Sequence, residues 1–263
     1  MRLPVGERGS SNRGPGHSRP ERGRRLRGPA SAALTLATLL ILLVRPSAAA
    51  GSPRLHRHRL PPDLAEILAH MNETSKRLRT LSADLEYTKV TVVVDDKSTE
   101  RGQIFYEKGK SPQMLIDFKQ PDPKTILMKR NRAEIYLPKI NQIDEYNLEK
   151  HSELVQQFLL LGFGTESNEL QKAYTVKLTG EEDIGGDTTA VLDLTPRKES
   201  VAAQLAKVQL WISEESWLPV QQKFLEPSGD YLLTHYTAVK VDRELPESTF
   251  EIQAGSDVKR VKH

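Results

Sequence analysis

The sequence predicts a mainly β fold of the α+β class, in which about ten or eleven antiparallel strands form one sheet and helices cover its apolar face. Two observations carry this prediction. Apolar and polar residues alternate over most of the chain beyond residue 84, and turn residues recur at the short intervals typical of an antiparallel sheet or barrel. The helical patterns precede or interrupt the strands without strand–helix–strand alternation, so a parallel sheet is not expected.

Residues 1–50 have the composition of a secretory signal peptide with a long basic n-region. They carry nine arginines and two glutamates, a local charge of +7, whereas the remaining chain carries −4. The apolar run ASAALTLATLLILLV spans residues 30–44 and is followed by Ala48-Ala49-Ala50, small residues of the kind that signal peptidase requires. We expect export and cleavage after Ala50. The alternative is an uncleaved anchor, for which an apolar run of 15 residues is short.

The remaining chain lacks the patterns of a catalytic or metal site. It has no cysteine, which excludes disulfides, thiolate metal sites and a cysteine nucleophile. The histidines follow no metal-binding spacing, and no G-x-S-x-G motif is present. Its negative net charge gives no reason to expect nucleic acid. We therefore predict a protein that is not an enzyme and that needs no metal or cofactor.

Two helices are predicted after a flexible, basic lead-in at residues 51–60. The first runs from about Pro61 to Leu81, because prolines suit a first helical turn and its apolar residues make one stripe. That stripe comprises Leu64, Ile67, Leu68, Met71, Leu78 and Leu81. The second lies in LEKHSELVQQFLLLGFG (148–164), where an apolar side ends at Gly162 and Gly164.

The strands are predicted between turns. The first covers residues 84–94, and the second lies in GQIFYEKG (102–109) with Ile104 and Tyr106 on one face. Three short strands lie between Pro112 and Pro138, and another covers residues 141–146. Five further strands follow residue 173, and in the last of them His235 has the phase of Tyr231 and Leu233 and could face inward. A short helical or looped insert at 199–206 and a basic tail at 256–263 complete the chain.

The order of several fragments resembles the LolA family of lipoprotein carriers over about residues 61–255. The fragments are GQIFYEKGKSP, QMLIDF, KQPDPKTILM, KRN and RAEIYLP, preceded by RLRTLSADLEYTK and followed by STFEI. The chain departs from the family at Ser111, where an arginine often precedes the proline, and in the lid segment SELVQQFLLLGFG.

The resemblance implies an incomplete antiparallel β-barrel, a half-barrel domain over residues 61–255, with helices covering a concave apolar face. It further implies a monomeric periplasmic carrier whose partners are acylated lipoproteins or another lipid, an inner-membrane release machinery and an outer-membrane acceptor. The residues expected to contact acyl chains are Leu85, Tyr87, Ile104, Tyr106, Met114, Ile116, Phe118, Ile126, Met128, Ile135, Leu137, Phe158, Leu159 and Phe163.

Two alternatives remain open at this point. Each of these apolar residues could be ordinary core, because a sheet covered by helices buries its inward side chains by default. The domain could also serve a regulator of envelope stress that senses lipid or lipoprotein, since related half-barrel domains do so. A lipid-modifying enzyme is disfavoured, because the sequence offers no catalytic constellation.

Overall fold

The computed structural model describes residues 62–129, 131–148, 161, 163 and 165–263. These residues lie within one compact unit of the chain, His58–His263. The predicted signal peptide, the predicted lead-in and most of the helix predicted within 148–164 lie outside the described residues.

Within the described residues, twelve strands make one sheet, which confirms the predicted fold class of an incomplete antiparallel barrel. In chain order they are β1 Thr80–Thr91, β2 Asp96–Glu107, β3 Gln113–Gln120, β4 Lys124–Lys129, β5 Arg132–Leu137, β6 Gln142–Asn147, β7 Tyr174–Ile184, β8 Asp187–Pro196, β9 Lys207–Ser213, β10 Pro219–Leu225, β11 Tyr231–Val241 and β12 Lys259–Lys262. Their spatial order is β12-β6-β5-β4-β3-β2-β1-β11-β10-β9-β8-β7, so the sheet is open and β12 and β7 are its edges.

Two meanders build the sheet. Sequence neighbours pair antiparallel from β1 to β6 and again from β7 to β11. The meanders join where β11 pairs antiparallel with β1. At the far edge, β12 pairs in parallel with β6, so part of the predicted basic tail belongs to the sheet.

Three α-helices are described: α1 Leu64–Arg77, α2 Ser167–Ala173 and α3 Glu199–Ala202. The carboxylate of Asp63 caps α1 by accepting a hydrogen bond of 2.8 Å from the backbone N–H of Glu66. The helix ends at Arg77 and not at Leu81 as predicted. Leu81 already pairs with Tyr106 of β2, so strand pairing overrides a helical spacing that continues by coincidence.

The core lies mainly on one face of the sheet. We call the face that packs against α1, Leu161 and Phe163 the inner face, and the opposite one the outer face. On β7–β10 the inner face packs against α1 and α2, and on β1–β3 and β11 it packs around Phe163. A small outer-face cluster forms where Phe250 packs on Leu115 and Leu127.

The first strand is shorter than predicted. It ends at Thr91, and Val92–Val94 form an exposed 3-10 turn closed by Asp95 in the left-handed region, with φ 50°. The β-branched composition of this segment favours a strand, but the hairpin must reverse here for β2 to begin at Asp96.

The inward phase predicted for β11 is also wrong. Tyr236 pairs with Leu85 and faces inward, which places His235 opposite Glu86 on the outer face. Ala238, with φ 50°, lies at a bulge in the pairing with β1, and this extra residue returns Val239 to the inner face. Alternation in the sequence cannot reveal such a bulge, because it assumes that successive residues of a strand always point to opposite faces.

Candidate functional site

Strand register brings the predicted acyl-contact residues onto one wall of the inner face. Directly paired residues share a face of a sheet, so the pairs define rows across β2–β5. One row contains Tyr106, Met114 and Met128. The next contains Ile104, Ile116, Ile126 and Ile135. We call this surface, with Leu85, Tyr87, Phe118 and Leu137, the apolar wall.

The third row depends on a glycine. Gly102 stands between Leu85 and Phe118, at a bulge in the pairing of β2 with β3. A Cβ at Gly102 would overlap the carbonyl oxygen of Asp117 and lie 2.7 Å from Cα of Phe118. The ring of Phe118 meets the ring of Tyr87 edge to face, with centroids 6.0 Å apart. The missing side chain therefore lets two strands approach and leaves room for an aromatic contact.

Burial divides the apolar wall into two parts. Its residues on β1–β3 are buried, except for the half-buried Tyr87. Those on β4 and β5 are half-buried, namely Ile126, Met128, Ile135 and Leu137. We call these four residues the accessible strip. Phe163 is buried against the wall, and the predicted Phe158 and Leu159 lie outside the described residues.

A buried polar pair fixes the segment around Leu161 to the sheet. The side-chain amide of Gln222 donates to the carbonyl of Leu161 at 2.5 Å, and its oxygen accepts from the hydroxyl of Tyr236 at 3.1 Å. Burial raises the pKa of Tyr236 far above its ordinary value, so this hydroxyl remains a donor. Phe163 meets the Tyr236 ring edge to face at 4.8 Å. Sequence reasoning missed Gln222, although it shares the phase of Phe224.

The apolar wall ends in charged residues near the β1–β2 turn. The ammonium of Lys124 lies 2.8 Å from both carboxylate oxygens of Glu100 and 4.8 Å from the ring centroid of Phe118. Glu100 pairs with Tyr87 across β1 and β2. Burial is the main cause that raises the pKa of Tyr87, and the negative charges of Glu100 and Glu226 raise it further. Neither Glu100 nor Lys124 was among the predicted site residues.

A groove of about 970 Å³ lies on the outer face, beside β12. Its lining includes Leu127, Lys129, Phe250 and Ile252. Arg260 of β12 reaches Glu145 at 2.7 Å and Glu134 at 3.5 Å beside this groove. The sequence does not predict this groove, because the composition of β12, one of its walls, is that of a basic tail.

The described residues contain no group of three or more His, Cys, Asp or Glu side chains that could hold a metal ion. The helices within this part of the chain all lack the length and apolar character of a membrane span. What the inner face offers is an apolar surface with a polar end.

Comparisons with known proteins agree with this architecture. The model of a family described as an uncharacterized protein matches residues 110–244, just over half of the chain. A search of curated proteins finds no match. An uncharacterized conserved protein from Thermus thermophilus aligns with 76% of this chain and 98% of its own length, at 13% identity and a TM-score of 0.50, which shows a shared fold.

Two further solved structures align more loosely. A LolA superfamily protein from Nitrosomonas europaea covers 73% of this chain and 99% of its own, at 17% identity and a TM-score of 0.36. A chain in the complex structure of Pseudomonas aeruginosa MucA/MucB covers 75% of this chain, at 16% identity and a TM-score of 0.45. The present chain spans 62% of that chain, which is less than two thirds of its length.

Proposed function

We propose that this chain, which belongs to the family matched over residues 110–244 and has a LolA-like fold, is a lipoprotein carrier. It carries the acyl chains of lipoproteins across the periplasm toward the outer membrane. The observation that supports this function is the accessible strip on β4 and β5. These side chains lie on the inner face in register with buried core residues, yet they keep part of their surface open. The strip therefore offers apolar area to a ligand.

Burial of an acyl chain supplies the driving force. Each methylene that leaves water contributes about 0.8 kcal/mol, and no catalytic group is needed to use this free energy. Met128 suits such a surface, because its unbranched side chain adapts to chains of different shape. The protein then acts by binding and release and not by chemistry.

The predicted signal peptide supports a periplasmic location. The partners expected of a monomeric carrier are acylated lipoproteins as cargo, a release machinery in the inner membrane and an acceptor in the outer membrane. The cargo would lie on the accessible strip with its acyl chains against Ile126 and Ile135, which pair directly across β4 and β5.

A displacement assay tests acyl binding. Protein purified from the periplasm is loaded with a fluorescent fatty acid, and a diacylated lipopeptide is added as competitor. We expect displacement by the lipopeptide, and weaker loading of the Met128→Gln variant. Ile140→Gln is a matched control, because Ile140 is an exposed apolar residue in the β5–β6 turn. A wild-type protein that neither loads nor releases the probe would rule out the carrier.

A transfer assay separates the carrier from the sensing regulator. A carrier moves a labelled lipoprotein from inner-membrane vesicles to outer-membrane vesicles. A regulator binds the same ligand without transfer and changes its affinity for a signalling protein when the ligand is bound. Transfer that depends on the protein, and that Met128→Gln slows, supports the carrier.

A further inference from the structure

A pair of opposite charges closes one end of the apolar wall. Lys124 pairs with Phe118 across β3 and β4, and Glu100 pairs with Tyr87 across β1 and β2. Because Phe118 and Tyr87 belong to the apolar wall, both charged side chains lie on the inner face. The ammonium of Lys124 contacts both oxygens of Glu100 at 2.8 Å.

The pair is partly withdrawn from water and still reachable. The side chains of Lys124 and Glu100 are 27% and 20% exposed. Such burial makes each charge sensitive to any third charge placed beside it, because water screens the interaction only in part. Part of each side chain therefore remains accessible to a ligand.

Two further charged residues lie near this pair, one of each sign. Lys89 follows Tyr87 by two residues on the same face of β1, and Glu226 is close enough to raise the pKa of Tyr87. These residues add one positive and one negative charge. The four charged side chains Lys89, Glu100, Lys124 and Glu226 therefore sum to no net charge.

The charged pair adjoins the accessible strip. Lys124 precedes Ile126 by two residues on β4, so the two side chains share a face and lie about 7 Å apart along the strand. An acyl chain that runs along β4 over Met128 and Ile126 would place one of its ends beside Lys124 and Glu100. If the head group is attached at that end of the acyl chain, it would contact this charged pair.

We propose that Glu100, Lys124 and Tyr87 form a subsite for the polar end of the ligand, and that this subsite selects head groups without net charge. This inference rests on the proposed acyl-binding function. An uncharged or zwitterionic head group can donate to Glu100 and accept from Lys124 or Tyr87. A head group with one net charge gains one attraction and meets one repulsion, and it must give up its own hydration.

The test compares four amphiphiles of equal chain length: a monoacylglycerol, a lysophosphatidylethanolamine, a fatty acid and an alkylamine. Wild-type protein should bind the first two about tenfold more tightly than the last two. Glu100→Gln leaves a net positive subsite and should shift the preference toward the fatty acid. Lys124→Gln leaves a net negative subsite and should shift it toward the alkylamine.

A reciprocal variant and an outer-face pair provide controls. The double change Glu100→Lys with Lys124→Glu restores a neutral subsite and should restore the wild-type preference. Lys207 and Asp193 form an ion pair of the same 2.8 Å length and similar exposure on the outer face. Lys207→Gln and Asp193→Asn should therefore leave the preference among the four amphiphiles unchanged.

The outcomes separate this subsite from the proposed function. Wild-type protein that binds all four amphiphiles with equal affinity, and variants that leave the preference unchanged, would overturn the subsite and leave acyl binding standing. Wild-type protein that binds none of them would overturn both. A shift toward the fatty acid in Glu100→Gln and toward the alkylamine in Lys124→Gln, reversed in the double variant, supports the subsite.

Discussion

The side-chain amide of Gln222 donates a hydrogen bond of 2.5 Å to the backbone carbonyl of Leu161, 61 residues earlier in the chain. Both groups are buried, and the amide oxygen of Gln222 also accepts from Tyr236. A buried carbonyl outside regular structure needs such a partner, because its hydration is lost on folding. One glutamine thus holds the segment that carries Phe163 against the apolar wall.

Replacement of Gln222 by leucine should destabilise the protein by about 1–3 kcal/mol, because it leaves the Leu161 carbonyl without its donor and the Tyr236 hydroxyl without its acceptor. Tyr236→Phe removes only one of these bonds and should cost about 1 kcal/mol. Urea unfolding followed by circular dichroism measures both. Gln221→Leu is the control, since Gln221 is half-buried on the outer face. Equal effects of the changes at 221 and 222 would contradict this role.

Gly102→Ala should destabilise the protein by about 1–3 kcal/mol, because the new methyl group meets the backbone of Asp117 and Phe118 and not a movable side chain. Gly109→Ala is the matched control, since a Cβ there has no atom within 4 Å. The two unfolding midpoints should differ clearly. If Gly102→Ala unfolds like wild type, the close approach of β2 and β3 does not constrain this position.

Much of the apolar wall was predictable from the sequence. Alternation between Met114 and Leu137, together with short turns, places the inward residues of β3, β4 and β5 on one face, because hairpin turns fix the register of adjacent strands. The burial gradient was not predictable. It depends on which distant segments cover β1–β3 and leave β4 and β5 open.

Other features could not be predicted, because they depend on pairing between strands that are distant in the sequence. The bulge at Ala238 changes the phase within β11, and only its pairing with β1 explains why. The short, charged β12 pairs with β6, more than 100 residues away, so neither its composition nor its neighbours indicate a strand. The outer-face groove was missed for the same reason.

Two isoleucines of one row test the division of the apolar wall. Ile116 is buried, and Ile116→Glu should cost more than about 3 kcal/mol, because a carboxylate would lose its hydration without a partner. Ile126 is half-buried, so Ile126→Glu should leave a folded protein that loads the fluorescent fatty acid poorly. Thermal unfolding and probe loading are measured on both variants. A folded Ile126→Glu variant with normal loading would exclude that position from the ligand surface.

The attachment of β12 should weaken at low pH. The hydrogen bond from His263 lowers the pKa of Asp144, and the hydrogen bond from Arg260 lowers the pKa of Glu145. A carboxyl group whose pKa is lower in the folded state stabilises that state above its unfolded pKa of about 4. This contribution is lost as the pH falls through the folded pKa. Acid should therefore loosen β12, while the backbone amides of the buried β9 stay protected from hydrogen exchange.

Deuterium uptake of peptides that cover β12 and β9, measured at pH 7, 5 and 3 and corrected for intrinsic exchange, checks this prediction. Uptake in β12 should rise between pH 5 and pH 3, and uptake in β9 should not. Arg260→Gln removes the bonds to Glu145 and Glu134, so its β12 should already exchange faster at pH 7 and respond less to acid. Equal protection of β12 at all three pH values would show that these carboxylates do not hold the strand, and that its parallel backbone bonds to β6 suffice.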